Sequence, residues 1–230
     1  MKKIVFLDTE TTGNEKKDFL CQLAYKTEGK TFCELYKPLI PIPPEASAIT
    51  HITNKTVNDK PPFKDSKDYT EIKELLEDEN TIMVAHNAKF DVGMVEKEGI
   101  NPKNVICTLR VARYLDKENK IPQYRLQYLR YYLEIDIDAP AHDALGDVLV
   151  LEKLYERLSK KIDIDEMIEV SSKPSIMYMF TFGKYKGKTI EEVSKMDRGY
   201  LKWMLSQKEQ NPDNEEDWIY TLKHYLGKLI

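Results

Sequence analysis

The chain has 230 residues, 41% hydrophobic and 32% charged, with 35 Lys+Arg against 39 Asp+Glu and a formal net charge of -4. That apolar content excludes a disordered chain, and the length accommodates one domain plus a smaller one. The acidic sum gives no general attraction to phosphate backbones, although a sum says nothing about where charge is placed.

Residues 3–8 (KIVFLD) are short, apolar and partly β-branched, and predict a buried strand. Only four apolar residues follow the basic start, too few for a secretion signal or a membrane span, so a soluble cytoplasmic protein with no membrane partner is expected. Further strands are expected near 18–27 and 30–37, joined by the turn pair Glu28-Gly29. The three cysteines, Cys21, Cys33 and Cys107, are odd in number and lack paired spacing, which fits half-buried thiols in a reducing compartment. Residues 37–47 hold four prolines and are expected to be loop. A helix is expected near 66–78, with Ile72, Leu75 and Leu76 as its apolar side, then a strand at 81–85 (TIMVA).

Helices are expected at 88–98, 108–115, 124–133 and 143–161, the last with Leu145, Val148, Leu151, Leu154 and Leu158 at helical spacing. Strands followed by alternating helices indicate an α/β domain with a mixed sheet. The stretch Gln123–Leu129 loosely resembles a clamp-binding peptide, but Leu126, Leu129 and Leu133 make an ordinary buried helix face. Residues 162–174 read as a linker, and the domain boundary is set at 1–165 and 166–230. The second part is expected to hold a strand (IMYMFTF), a Gly- and Lys-rich turn and about three helices, with Trp203 facing its core beside Leu201, Met204 and Leu205.

Three short motifs carry chemistry. Asp8-Thr9-Glu10 ends the first strand, where residues two apart share a face, so two carboxylates project together. His86-Asn87-Ala88-Lys89-Phe90-Asp91 follows the TIMVA strand, with Asn87 as a helix N-cap and Asp91 in the first turn. His142-Asp143-Ala144-Leu145-Gly146-Asp147 opens the long helix after Pro140. Each alone is explained by capping or a polar strand end. Together, Asp8, Glu10, Asp91 and Asp147 can converge at one sheet edge. Hard oxygen donors in that number suit Mg²⁺ or Mn²⁺ rather than a closed zinc site. Two such ions, about 3.5–4 Å apart, would flank a scissile phosphate, and a rim histidine could take a proton from water.

In order and spacing, DTETTG, Asn87-x3-Asp91 and His142-x4-Asp147 resemble the three motifs of the DEDDh family of 3′→5′ exonucleases, which includes the proofreading subunit of bacterial DNA polymerase III and RNase T. The related group with Tyr-x3-Asp is disfavoured, because position 143 is Asp. The resemblance spans about residues 3–160 and implies a ribonuclease-H-like fold and release of nucleoside 5′-monophosphates from the 3′ ends of nucleic acid, DNA above all. It implies two Mg²⁺ or Mn²⁺ ions: Asp8 bridging both, Glu10 and Asp147 completing the first site, Asp91 holding the second partly through water, and His142 as general base. Thr9, Thr11 and Thr12 would contact the terminal nucleotide, with His51 and Asn87 as supports.

Residues 175–210 are similar to the small C-terminal domain of exodeoxyribonuclease X-like proteins. There Lys184, Lys186 and Lys188 either meet phosphates, with Tyr185 or Trp203 stacking on a base, or decorate a solvated turn. Residues 173–208 carry 8 Lys+Arg against 3 Asp+Glu, a local excess that the total conceals. DNA repair or end processing is the expected setting. An RNA-trimming enzyme of the same family is the alternative. A non-catalytic binding or polymerase-associated subunit is disfavoured, because clustered carboxylates do nothing for phosphate binding without cations.

Overall fold

The strand β1 (Lys3–Thr11) runs through the middle of the sheet, and its alternation sets the rest of the fold. The computed structural model describes residues 2–15, 17–137, 144–212 and 215–228. Val5 and Leu7 are fully buried on one face of β1, and Thr9 follows them at 5% exposure. Phe6 lies on the other face and meets Tyr155 edge-on, with ring centroids 5.3 Å apart. On one side β1 pairs antiparallel with β2 (Leu20–Thr27), which pairs antiparallel with β3 (Lys30–Leu35). On the other it pairs parallel with β4 (Thr81–Ala85), which pairs parallel with β5 (Asn104–Cys107). The order β3-β2-β1-β4-β5 gives a five-stranded mixed sheet among the described residues. Gly29, with φ at +76°, closes the β2–β3 turn as Glu28-Gly29 requires.

Helices cover both faces. The face carrying Val5 and Leu7 packs on α2 (Tyr69–Glu77), through Ile72 and Leu76, and on α3 (Lys89–Lys97), through Val95. The Phe6 face packs on α6 (Ala144–Leu158), whose Val148 and Leu154 are fully buried. This is the α/β architecture with a mixed sheet expected from strands followed by helices, and the ribonuclease-H-like fold that the resemblance implies. Two more helices, α4 (Thr108–Leu115) and α5 (Leu126–Tyr132), precede α6, and Leu126 and Leu129 of α5 are buried as an ordinary helix face. Among the described residues, no helix is long and apolar enough to cross a membrane. All three cysteines are free thiols.

Several expectations need correction. The four-proline loop contains a helix, α1 (Pro44–Thr50), because Pro44 sits in its first turn, where a missing N–H costs nothing. β5 is only four residues long, too short for the sequence pattern to mark it as a strand. The expected linker holds α7 (Ile164–Ser172), tied to β5 because the Cys107 N–H donates to Ser171 Oγ at 2.8 Å. The N-cap of α3 is Ala88, not Asn87, and no side chain caps it.

The chain divides into two compact units, 1–112 with 123–172, and 113–122 with 173–230. The boundary expected at 165/166 falls inside α7. In the second unit the expected strand is reduced to a single antiparallel bridge, Met179 with Thr189, and the turn between them uses Gly183 and Gly187 at φ +73° and +85°. Three helices follow among the described residues: α8 (Ile190–Met196), α9 (Arg198–Gln210) and α10 (Glu216–Tyr225). A capping box starts α8, with the Glu192 N–H donating to Thr189 Oγ1 at 3.1 Å and the Thr189 N–H donating to Glu192 Oε2 at 2.8 Å. The helices close around Phe180, which stacks on Trp218 with centroids 5.5 Å apart. Arg113 joins this unit through Asp217, at 2.7 Å, and Ser175, at 2.9 Å. Trp203 is not in the core: it is 56% exposed, whereas Tyr185 is buried and donates its hydroxyl to Asp197 at 2.6 Å.

Candidate active site

The parity of β1 decides which side chains can meet. Asp8 and Glu10 share the Phe6 face, the face that α6 covers, and Asp147 stands in the first turn of α6. One carboxylate oxygen from each of Asp8, Glu10 and Asp147 lies within 4.8 Å of the others, and all three residues are half-buried. Two features hold the elements at this spacing. The ladder of β1 and β2 pairs Glu10 with Gln22 and then skips Cys21 to pair Thr11 with Leu20, a bulge at the strand end where Glu10 projects. Gln22 also accepts the Ala144 N–H at 3.4 Å, tying β2 to the start of α6.

Gln127 of α5 donates its amide to Asp147 Oδ1, and its own carbonyl accepts from Arg130 at 3.5 Å. Sequence reasoning placed Gln127 on a helix but gave it no role. Its i, i+4 relation to Tyr131 carries no signal that it reaches a carboxylate on another helix. His86, first residue of the second motif, is a strut. Its Nε2 lies 2.6 Å from the Tyr124 carbonyl, which can only accept, so that nitrogen carries the proton, while Nδ1 lies 2.9 Å from Thr108 Oγ1.

Asp91 does not join the three-carboxylate group. Its residue is 3% exposed, and Oδ1 accepts both the Thr9 N–H at 3.1 Å and the Thr9 hydroxyl at 2.8 Å. Thr9 projects on the opposite face of β1 from Asp8, toward α3, which explains the separation. Burial pushes the Asp91 carboxyl up to about 7, against the two Thr9 hydrogen bonds, which favour the charged form. Burial, and then the Glu10 charge, push the Cys21 thiol up to about 12.

The remaining expected residues are dispersed. Thr11 donates its hydroxyl to Gly13 O at 2.5 Å, and Thr12 donates to Asp18 Oδ1 at 2.9 Å. Both hydroxyls therefore shape the loop after β1. His51 is the exposed C-cap of α1 with φ at +59°, and Asn87 is exposed with φ at +65°. Lys184, Lys186 and Lys188 are exposed in the second unit, where Lys184 pairs with Asp197 at 3.2 Å. His142 lies outside the described residues.

Three carboxylates this close repel one another unless a cation or protons intervene. All donors are hard oxygens and none is Cys or His, so the set fits a divalent cation of the Mg²⁺ or Mn²⁺ kind.

Residues 5–155 match the Exonuclease family model, and residues 180–209 match the Exodeoxyribonuclease X-like C-terminal model. The chain belongs to the Exonuclease family, whose members normally use divalent metals. Among its relatives, Exodeoxyribonuclease 10 of Escherichia coli K12 is 32% identical over 236 residues, covering 96% of this chain and 97% of that one. DNA polymerase III subunit epsilon of Buchnera aphidicola subsp. Schizaphis graminum is 31% identical over 67% of this chain and 73% of its own. Among solved structures, Exonuclease X in complex with 5′ overhanging duplex DNA aligns with a TM-score of 0.61 at 26% identity, covering 73% of this chain and 99% of that one. A zinc-bound Exonuclease I–single-stranded DNA complex of E. coli aligns at 0.60 with 21% identity, covering 70% of this chain and 41% of that one, a likeness of fold.

Proposed function

We propose that the protein is a divalent-metal-dependent 3′→5′ exonuclease that hydrolyses DNA phosphodiester bonds and releases nucleoside 5′-monophosphates. The observation that carries this reading is the convergence of Asp8, Glu10 and Asp147, from a strand end and a helix start, to within 4.8 Å. The DNA-bound relative and the exodeoxyribonuclease relative support DNA as the substrate.

In this reading Asp8, Glu10 and Asp147 hold one Mg²⁺ or Mn²⁺. Asp91, which accepts both hydrogen bonds of Thr9 beside Asp8, would serve a second. Divalent cations bound there would offset the carboxylate charge and stabilise negative charge developing at the scissile phosphate. Gln127 keeps the Asp147 carboxylate turned toward its neighbours by donating to Oδ1. The buried backbones of β1 and α6 fix the carboxylates before substrate arrives, so little reorganisation remains at the moment of reaction. His142, five residues before Asp147, would take the proton from the attacking water, a task suited to a group titrating near neutrality. Asn87 and His51, both exposed and in left-handed conformations, would support the terminal nucleotide beside the backbone of Thr9, Thr11 and Thr12.

A time course on 5′-labelled single-stranded DNA, overhanging duplex and RNA, with Mg²⁺ or with EDTA, tests the proposal. Stepwise shortening of DNA from its 3′ end, stopped by EDTA, is expected. Shortening of RNA alone, or no shortening of any substrate, would overturn it.

A further inference from the structure

The second unit exposes an indole that its fold does not use. In α9, Leu201, Met204 and Leu205 are 0%, 4% and 2% exposed and face the core, while Trp203 points away at 56%. The unit already has a core tryptophan in Trp218, 8% exposed. Along its helix Trp203 has a single aromatic neighbour one turn away, the half-buried Tyr200. The other positions one turn away on α9 are Gly199, Ser206 and Gln207, all exposed and either small or polar. A protein-docking face would be expected to extend its apolar area there.

What borders the indole instead is an aromatic relay ending in cations. Tyr200 lies 5.5 Å from Trp203, and Tyr185 lies edge-on to Tyr200 at 4.9 Å. Tyr185 sits in the middle of the turn that carries Lys184, Lys186 and Lys188. The turn closes tightly on Tyr200: a side chain at Gly183 would come within 2.9 Å of the Tyr200 hydroxyl, and φ there is +73°. Lys184 lies over the Tyr185 ring at 4.7 Å. Lys186 and Lys202 are exposed, and among the described residues neither forms an ion pair. The stretch containing all of these carries 8 Lys+Arg against 3 Asp+Glu.

We propose that Trp203 and the lysines of the 183–188 turn form a binding platform for unpaired single-stranded DNA, with a base stacked on the indole and neighbouring phosphates on the lysines. The chemistry selects this occupant. A ligand of phosphates alone would use the lysines and leave the indole in water. A duplex keeps its base faces stacked on one another and cannot offer one to Trp203. An unpaired strand presents both groups at once, and stacking tolerates any sequence because every base has a π-face. The platform rests on the nucleic-acid substrate proposed above and adds to it a second place, on the other unit, where the strand is held.

The test uses the full chain in EDTA, so that no strand is cut, with a 5′-fluorescein oligothymidylate of about 15 nucleotides, near the upper end of what one such platform spans. Trp203→Ala should weaken binding roughly tenfold, the effect of one lost stacked base, and Trp203→Phe should retain most of it. Lys186→Ala combined with Lys188→Ala should reduce the salt dependence of binding, as expected when phosphate contacts are lost. Intrinsic emission should be quenched by the oligonucleotide in the wild type, and much less in Trp203→Phe, where only the buried Trp218 remains. Unchanged affinity in Trp203→Ala would overturn the proposal. So would equal binding of a blunt duplex, or competition by inorganic polyphosphate as effective as by oligothymidylate. Hydrolysis by Asp147→Asn is measured separately in Mg²⁺. A failed nuclease reading would leave the quenching intact, and a failed platform would leave metal-dependent hydrolysis intact.

Discussion

The acidic site of the first unit and the basic surface of the second are built in opposite ways. Asp8, Glu10 and Asp147 project from the ends of elements whose bodies are buried, such as Val5 and Leu7 in β1 and Val148 in α6. Their positions follow from the core. Trp203 and the turn lysines are exposed on the outside of theirs and belong to no buried core. The difference teaches that a net charge of -4 describes neither region. Residues 1–170 carry 25 Lys+Arg and 31 Asp+Glu, a difference of -6, whereas 171–230 carry 10 and 8, a difference of +2. Acids gathered where cations can neutralise them, and an excess of lysines gathered in the other unit, give a nucleic-acid enzyme an acidic total.

The contrast can be broken most severely at Asp147. Asp147→Asn should lower hydrolysis on the order of a thousandfold or more, ~4 kcal/mol of transition-state stabilisation, with circular dichroism unchanged. Chelation of the wild type should abolish activity too, and near-wild-type rates in the variant would remove Asp147 from the site.

Phe180→Ala, in the other unit, should cost about 3–5 kcal/mol of stability. Hydrogen exchange should show the lost protection in α8–α10 rather than in the β1–β4 ladder, and uniform loss would erase the distinction between the units. Gln127→Ala lies between structure and chemistry. It should weaken Mn²⁺ binding or activity roughly tenfold to a hundredfold, the usual effect of removing a hydrogen bond to a ligand. Calorimetry with Mn²⁺ checks it, and unchanged affinity together with unchanged turnover would reduce Gln127 to packing. The smallest effect is expected at the capping box, where Thr189→Ala should cost about 1 kcal/mol, read as a lower thermal midpoint.

Much of the first unit was legible because its signals are local and repeated. β4 and α4 match their expected bounds, and the pairing of Asp8 with Glu10 follows from strand parity alone. The features not legible in the sequence depend on partners far away along the chain. α7 reads as linker until Ser171 is seen to accept from Cys107. Parity also predicts that Thr9 opposes Asp8, but not that α3 covers that face and ties Asp91 to Thr9. The helical spacing of its apolar neighbours points Trp203 inward, whereas the core takes Leu201, Met204 and Leu205 and leaves the indole outside. Asn87 has the composition of a cap but adopts φ +65°, a conformation that composition does not announce.

The clasp of Arg113 on Asp217 has a consequence for how the chain is made. The two residues are 104 positions apart, with α5 to α9 between them. At a synthesis rate of about 5–20 residues per second, Arg113 leaves the ribosome roughly 5–20 s before its partner. The short segment 113–122 therefore waits, already translated, while β1 to β5 can pair and α6 and α7 are still being made. The second unit cannot close until residues 173–230 are made, and it then takes in a piece of chain delivered earlier. A truncation that deletes residues 173–230 would leave that piece behind and remove the Asp217 and Ser175 partners of Arg113.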